Sequence, residues 1–435
     1  MELLFFKRDH PKVITPYYSY NAQIDMRLKC FALVIVFAYF TNCLLPAVKA
    51  QSFELGDTKK RVSLPFRLVR NMIVIELMIN AKGPYNFILD TGVGLMIITE
   101  PKLVDSINVS TKRTVQLFGW GEGESFEAYV VSTLNVTMPD IQSQAVGAVI
   151  FKDDHFGLSS YAGMNIHGLL GFEFFNNLAV EINFQSGNIN LCRPKDLKIP
   201  RRGEKLPITI ENRKPYVESF LVLPNGVRRK TKLVVDIGAG HALSLENEMD
   251  HGKDFPRLPM ANLGMGFTGP ISGFVGRIIK IELGKYKFKK VITAFPQMDA
   301  RIKENLTTMR DGNLGLGILK RFTITFNYQD GFMFLKPAVN FKEPFEHDMS
   351  GIEYFAGGVD FKHIVINRVE PGSAGDQAGL RKDDEILSIN LKPVSNMSLE
   401  EIDNLFKSRD NRGLLLEIYR GKKYQNLLMI LKRRI

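Results

Sequence analysis

Two short stretches decide the reading of this chain: Phe87-Ile88-Leu89-Asp90-Thr91-Gly92 and Leu233-Val234-Val235-Asp236-Ile237-Gly238. Each is an apolar run ending in Asp-X-Gly, the pattern of a buried strand that runs into a turn, where Asp and Gly are both favoured. A lone Asp-X-Gly reads as no more than that turn. Two copies carry more, because their surroundings are copied too. His167-Gly168-Leu169-Leu170-Gly171 through Gly187-Asn188-Ile189-Asn190-Leu191 aligns without gaps on Asp311-Gly312-Asn313-Leu314-Gly315 through Gly331-Phe332-Met333-Phe334-Leu335, at a constant offset of 144. Asp90 precedes Gly171 by 81 residues and Asp236 precedes Gly315 by 79. Between these landmarks sit the glycine-rich segments Gly119-Trp120-Gly121-Glu122-Gly123 and Gly264-Met265-Gly266-Phe267-Thr268-Gly269. Order and spacing both recur, so the chain reads as two copies of one lobe.

Each copy is expected to be mainly β. The alternating apolar positions Leu178, Val180, Ile182 and Phe184 are answered by Phe322, Ile324, Phe326 and Tyr328, the two-residue period of a strand. Gln185-Ser186-Gly187 and Gln329-Asp330-Gly331 then supply hairpin turns.

A length of 435 residues, at roughly 150 residues per domain, fits three domains. With 45% hydrophobic and 24% charged residues, disorder and a collagen-like fibre are excluded. The net charge of +11 is spread along the chain without arginine-rich blocks, so no nucleic-acid partner is implied. Cys30, Cys43 and Cys192 have neither the number for a disulfide framework nor the spacing for structural zinc. No metalloprotease helix, phosphate loop, dinucleotide fingerprint or nucleophile elbow is present, and no cofactor or metal is expected. Asp153-Asp154-His155 reads as a solvated loop before it reads as a metal site.

The start of the chain has its own signature. Basic Arg27 and Lys29, an apolar run Phe31 to Phe40, and Pro46-Ala47-Val48-Lys49-Ala50 give the order of a secretory signal with cleavage after Ala50. Translation is expected to begin at Met26, with the upstream segment an extension of the reading frame, so that 1–50 forms leader plus extension. An exported chain of this kind suits a bacterial periplasm or cell surface, with an uncleaved N-terminal anchor as the alternative.

The tail differs from both lobes. Val365 to Val369 reads as a strand, Pro371-Gly372-Ser373-Ala374-Gly375 as a turn, Asp376 to Leu380 as a short helix and Asp384 to Asn390 as a second strand. A helix from Ser398 to Arg409 and strands from Gly413 to Tyr419 and Asn426 to Leu431 complete a small α+β module. The expected organisation is a first lobe over 51–198, a second over 203–340 and the tail module over 349–435.

Two like strand ends in two like lobes can face each other across a pseudo-twofold axis, which brings Asp90 and Asp236 into one site. Carboxylates about 3 Å apart cannot both ionise, so the pair holds one proton and titrates as a unit. One member can take a proton from water while the protonated member polarises a carbonyl. Gly92 and Gly238 suit this geometry, since a backbone without Cβ passes close to the carboxylates.

At these residues the sequence resembles the aspartic proteases, and specifically the retropepsin-like bacterial proteins with two lobes and a PDZ domain on one chain. The resemblance covers roughly residues 65 to 435. It implies a mainly β fold of two pepsin-like β-barrel lobes, with Asp90 and Asp236 as a catalytic dyad of an aspartic endopeptidase working as a monomer. It further implies Thr91 as a hydroxyl grip between the active-site loops, and Gly119, Trp120, Gly121, Gly264, Gly266 and Phe267 as flap residues over an extended peptide. The tail resembles a PDZ domain of the bacterial protease type, from Val369-Glu370-Pro371-Gly372 through Ala378-Gly379-Leu380 to Ile389-Asn390. Such domains add a peptide C-terminus to a sheet edge, and the resemblance places capture at Ala356, Gly357 and Gly358, ahead of the strand that would pair with the peptide.

Two positions depart from the pattern. Ile237 stands where Thr or Ser is usual, and Asn313 occupies the first apolar position of the second apolar-apolar-Gly element. Ile237 cannot donate, so Thr91 must find a partner elsewhere. A catalytically silent peptide-binding relative is therefore the alternative function. Val93 and Ala239 also lack side-chain donors, so the apparent pKa of the pair is expected to be pushed up and its shared proton held to higher pH.

Overall fold

The computed structural model describes residues 52–109, 112–117, 125–246, 258–266, 269–297 and 308–435. The expected leader over 1–50, Gly119, Trp120, Gly121 and Phe267 lie outside the described residues.

The repeat in the sequence becomes a repeat in strand order. In the first lobe Ile141–Phe151, Met96–Ile98, Gly168–Leu170, Lys82–Leu89, Met72–Ile79 and Phe126–Met138 pair in that order, and the last pairs back to the first. In the second lobe Tyr286–Pro296, Leu243–Leu245, Gly312–Gly315, Arg228–Asp236, Lys214–Val222 and Gly269–Leu283 close the same ring. Closure removes the sheet edges, so each lobe is a small barrel filled by its own inward side chains.

Within each barrel the strand that carries the Asp pairs in parallel with the apolar-apolar-Gly strand, Leu89 opposite Leu170 and Asp236 opposite Gly315. The turn after the Asp then folds over that glycine. A Cβ at Gly171 would stand 2.0 Å from the Val93 carbonyl oxygen, and one at Gly315 would stand 2.2 Å from that of His241. Only glycine fits at either crossing.

The alternating stretches join the lobes. Ala179–Asn183 pairs antiparallel with Phe322–Asn327, at the centre of a six-stranded sheet drawn from both lobes. Glu181 lies opposite Thr325, its own counterpart 144 residues away, so the pseudo-twofold axis passes through this pair. The hairpins that follow are built alike, with Asn183 accepting from the Gln185 N–H and Asn327 from the Asp330 N–H. Gly187 and Gly331 take the left-handed conformation at φ 63° and 61°, open to glycine at no steric cost. One apolar core runs through both lobes, and at its waist Phe175 meets Phe326 and stacks on Tyr328, each at a centroid distance of 5.5 Å.

The tail folds around a separate apolar core. Its first helix, Ala374–Gln377, begins two residues before the expected position because the Ser373 hydroxyl accepts from the Asp376 N–H and so sets the cap. The second, Leu399–Phe406, opens on a capping box of Ser398 and Glu401. The expectation that His363–Val369 would take a peptide is corrected by the topology. That strand is paired on both sides, with Ile352–Gly357 and with Glu385–Ile389, and Ile352–Gly357 is one of the two edges of the sheet, Lys423–Ile430 being the other. Ala356 and Gly357 end this edge strand, and Gly358 lies in the turn beyond it at φ 78°.

Phe175 tests the shared core. Phe175→Ala should lower unfolding free energy by about 3–5 kcal/mol. Urea unfolding should keep the two lobes in one transition whose midpoint falls; a separate early transition of one lobe would mean that the waist does not couple them.

Candidate active site

The two Asp-X-Gly turns lie against each other. Asp90 and Asp236 are both buried and lie within hydrogen-bonding reach of one another. Each motif glycine lies against the other lobe's carboxyl: a Cβ at Gly92 would be 2.7 Å from Asp236 Oδ2, and one at Gly238 would be 2.3 Å from Asp90 Oδ2. Glycine at both positions is a condition for the carboxyls to approach.

Thr91 fastens the loops without a matching hydroxyl. Its Oγ1 donates to the Val235 carbonyl at 2.6 Å and accepts from the Ile237 N–H at 3.0 Å. The partner sought for Thr91 is thus the main chain of the second lobe, and the Ile237 side chain is wholly buried in the shared core. What the second lobe loses in a hydroxyl it gains in packing.

The carboxyls are not equivalent. Asp90 Oδ1 accepts from the Gly92 N–H at 2.7 Å. Asp236 receives three donors: its Oδ1 accepts from the N–H groups of Gly238 at 2.9 Å and Ala239 at 3.0 Å, and its Oδ2 from the Asn313 amide at 2.8 Å. Burial and then the neighbouring Asp236 charge push the Asp90 carboxyl well above the usual carboxylate range. Burial acts upward on Asp236 as well, and the Asn313 amide with the two main-chain N–H groups works against it by favouring the charged form. The raised Asp90 carboxyl runs in the direction expected for a pair that keeps its proton to higher pH. Asn313 and the Ala239 main chain supply the donors that the side chains of Val93, Ile237 and Ala239 lack, and they do so on one side only. Three donors on Asp236 against one on Asp90 favour the charge on Asp236 and the shared proton on Asp90.

Residues beyond the expected set complete the surroundings. Burial, followed by the negative charge of the carboxyl pair, holds the Tyr328 phenol well above its ordinary value and neutral. The His241 ring, past the second motif, is kept neutral by burial against the opposing pull of Asp236. Equivalent hairpin turns brace the loops from the opposite lobe: Asn71 Nδ2 donates to the Gly240 carbonyl, and Arg213 Nη1 to that of Gly94. Arg213 also faces Glu173 at 3.6 Å, whose carboxyl burial raises to about 7. Asn313 was visible in the sequence as an exception to the apolar pattern. His241, Tyr328 and the two turns had no signal, because only the fold brings them near the motifs.

Of the flap residues, Gly264 and Gly266 are described. They belong to the strand Met260–Gly266, which pairs with Gly269–Leu283, and a Cβ at Gly264 would meet open space. Asp154 is used locally, its Oδ1 accepting from the N–H groups of Phe156 and Gly157, and the His155 ring packs on Phe126 at 4.4 Å.

Thr91→Val tests the fastening between loops. It removes a buried donor and acceptor and should cost about 2 kcal/mol or more, read as a lower urea midpoint at unchanged slope, while Thr91→Ser stays close to the parent. Equal midpoints for all three would show that the hydroxyl bears no load.

An aspartyl protease family model matches residues 75–174, which include Asp90, Thr91 and Gly171, and a PDZ domain model matches residues 342–418. Among solved structures the chain is similar to a photosystem II D1 C-terminal processing protease, at 19% identity over 20% of this chain and 24% of that one, with a TM-score of 0.19. It is also similar to a PDZ domain protein from Parabacteroides distasonis, at 27% identity over 20% of each chain, with a TM-score of 0.18. The chain thus spans about a quarter or less of the length of these two structures. No curated protein matches it. The chain carries an aspartyl protease domain followed by a C-terminal PDZ domain.

Proposed function

We propose that the protein is an exported aspartic endopeptidase in which Asp236 is the general base and Asp90 the general acid. The observation that carries this reading is the uneven set of donors on two facing carboxyls, three N–H groups on Asp236 against one on Asp90. A water held between them loses a proton to Asp236 as its oxygen attacks the scissile carbonyl carbon, while Asp90 donates to the carbonyl oxygen. The tetrahedral intermediate collapses as its nitrogen takes the proton from Asp236, one of its hydroxyls returns a proton to Asp90, and the C–N bond breaks. The dyad then again holds one proton.

An extended peptide would lie across the cleft between the lobes, under the glycine-rich hairpins that include Gly264 and Gly266. The PDZ domain would take peptide C-termini at its edge strand Ile352–Gly357, with Ala356 and Gly357 on that edge. Export follows from the charge, apolar run and small residues that end at Ala50.

Asp90→Asn and Asp236→Asn should each lower hydrolysis of a mixed peptide library by orders of magnitude with the thermal transition retained. If neither the parent nor either variant cleaves, the silent peptide-binding alternative holds; if Asp236→Asn stays active, the two-lobe dyad is wrong.

Asn313 gives a pH signature. Its amide stabilises the charged form of Asp236, so Asn313→Leu should raise the lower apparent pKa of the dyad. The singly protonated state then appears only at higher pH, and the acid limb of kcat/KM should move up by about one unit, the equivalent of roughly 1.4 kcal/mol for a hydrogen bond to a charged group. An unmoved acid limb would remove Asn313 from the account.

A further inference from the structure

In the PDZ domain the helix Leu399–Phe406 lies beside the edge strand Ile352–Gly357, the Tyr354 hydroxyl reaching the Leu399 carbonyl and Asp403, and the first lobe packs against both, closing the groove between them. The short helix Leu158–Ala162 packs on the edge strand. Gly163, just past it, fits so closely between helix and strand that a Cβ there would stand 2.9 Å from Leu399 Cδ1 and 3.5 Å from Ala356 Cβ. Leu399 and Asp403 are four residues apart and share one helix face, the face turned to the groove.

Arg70 closes the arrangement. Its Nε and Nη2 each donate to the Asp403 carboxylate at 3.1 Å, a two-pronged contact. Its Nη1 reaches the carbonyls of Tyr354 on the edge strand at 3.3 Å and of Tyr161 at 3.2 Å. The guanidinium also lies 4.3 Å from the ring centre of Tyr161 and 4.6 Å from that of Tyr354. The Tyr354 hydroxyl donates in turn to Asp403 Oδ1 at 2.5 Å, and the Arg70 side chain is only 9% exposed. A peptide adding to this edge would need the strand's free main-chain groups and the space along the helix face. Arg70 and the 158–163 segment hold both.

The geometry points to a PDZ groove closed in cis, with the first lobe as its resident occupant and a peptide carrying a free, apolar C-terminus as the competitor that must displace it. This rests on the peptide-capture part of the proposed function. It also ties the groove to the cleft by two short routes. Arg70 shares its turn with Asn71, which bonds the loop after Asp236 at Gly240. Glu353, on the same edge strand, accepts from Asn262 Nδ2 in the glycine-rich strand of the second lobe at 3.0 Å. A peptide that opens the groove therefore pulls on contacts that reach the dyad loop and the flap.

A closed groove lowers apparent affinity by the fraction of time it is open. The test uses the full chain carrying Asp90→Asn, so that no probe is cleaved, and a fluorescein-labelled pool of decapeptides ending in Val, Leu, Phe or Ala as free acids, with C-terminal amides as controls. Arg70→Ala and Asp403→Asn, added singly, should each tighten binding of the free acids about tenfold or more and leave the amides weak. Equal affinity with and without these changes overturns the closed groove while leaving peptide capture in place. Absence of binding in every form overturns the capture reading itself, whatever the peptidase assay gives. The parent supplies a second readout that needs no added variant: saturating probe should speed hydrogen exchange over residues 158–163, and unchanged exchange there with probe bound also overturns the proposal.

Discussion

Everything in this molecule is organised around two carboxyl groups that are buried beside each other. Bringing two such groups out of water and into contact is unfavourable unless one stays protonated and the other is hydrogen-bonded. The fold meets both conditions. Each lobe delivers its Asp at the end of a strand locked in parallel to the apolar-apolar-Gly strand behind it, and each motif glycine clears space for the opposite carboxyl. The antiparallel pairing of Ala179–Asn183 with Phe322–Asn327 sets the axis that makes the two ends face each other.

The symmetry is broken at the carboxyl pair itself. In two identical lobes the proton would have no preferred side. Here Asn313 replaces the apolar residue that stands at its counterpart, Leu169, and its amide joins two main-chain N–H groups on Asp236. Ile237 breaks the symmetry in a second way, since Thr91 alone bridges the loops through main-chain groups of the other lobe. Both departures from the repeat become intelligible together: one polarises the pair, the other fills the core beneath it.

Much of this could be read before any coordinates. The duplicated Asp-X-Gly ends, the offset of 144 and the alternating strands dictate paired β lobes, because spacing and period are local properties of the chain. The α+β tail was legible for the same reason. What sequence could not give were contacts made by residues far apart in the chain. Asn313 was seen only as an irregularity, and the donors from Ala239 and Ile237 are main-chain groups that no side-chain pattern encodes. An edge of the tail sheet was misjudged, because strand order in space is not strand order in sequence. Arg70 and Asp403, 333 residues apart, could be joined only by the fold.

The central claim is that the dyad is divided, with Asp90 protonated and Asp236 ionised. Carbon-13 NMR of the protein labelled at aspartate carboxyl carbons, with the two signals assigned through Asp90→Asn and Asp236→Asn, measures this directly. At pH 6 the account predicts a protonated carboxyl shift for Asp90 and a carboxylate shift for Asp236, and the Asp90 signal titrates only at higher pH. Two signals that both titrate near the ordinary aspartate value of about 3.9 would contradict it.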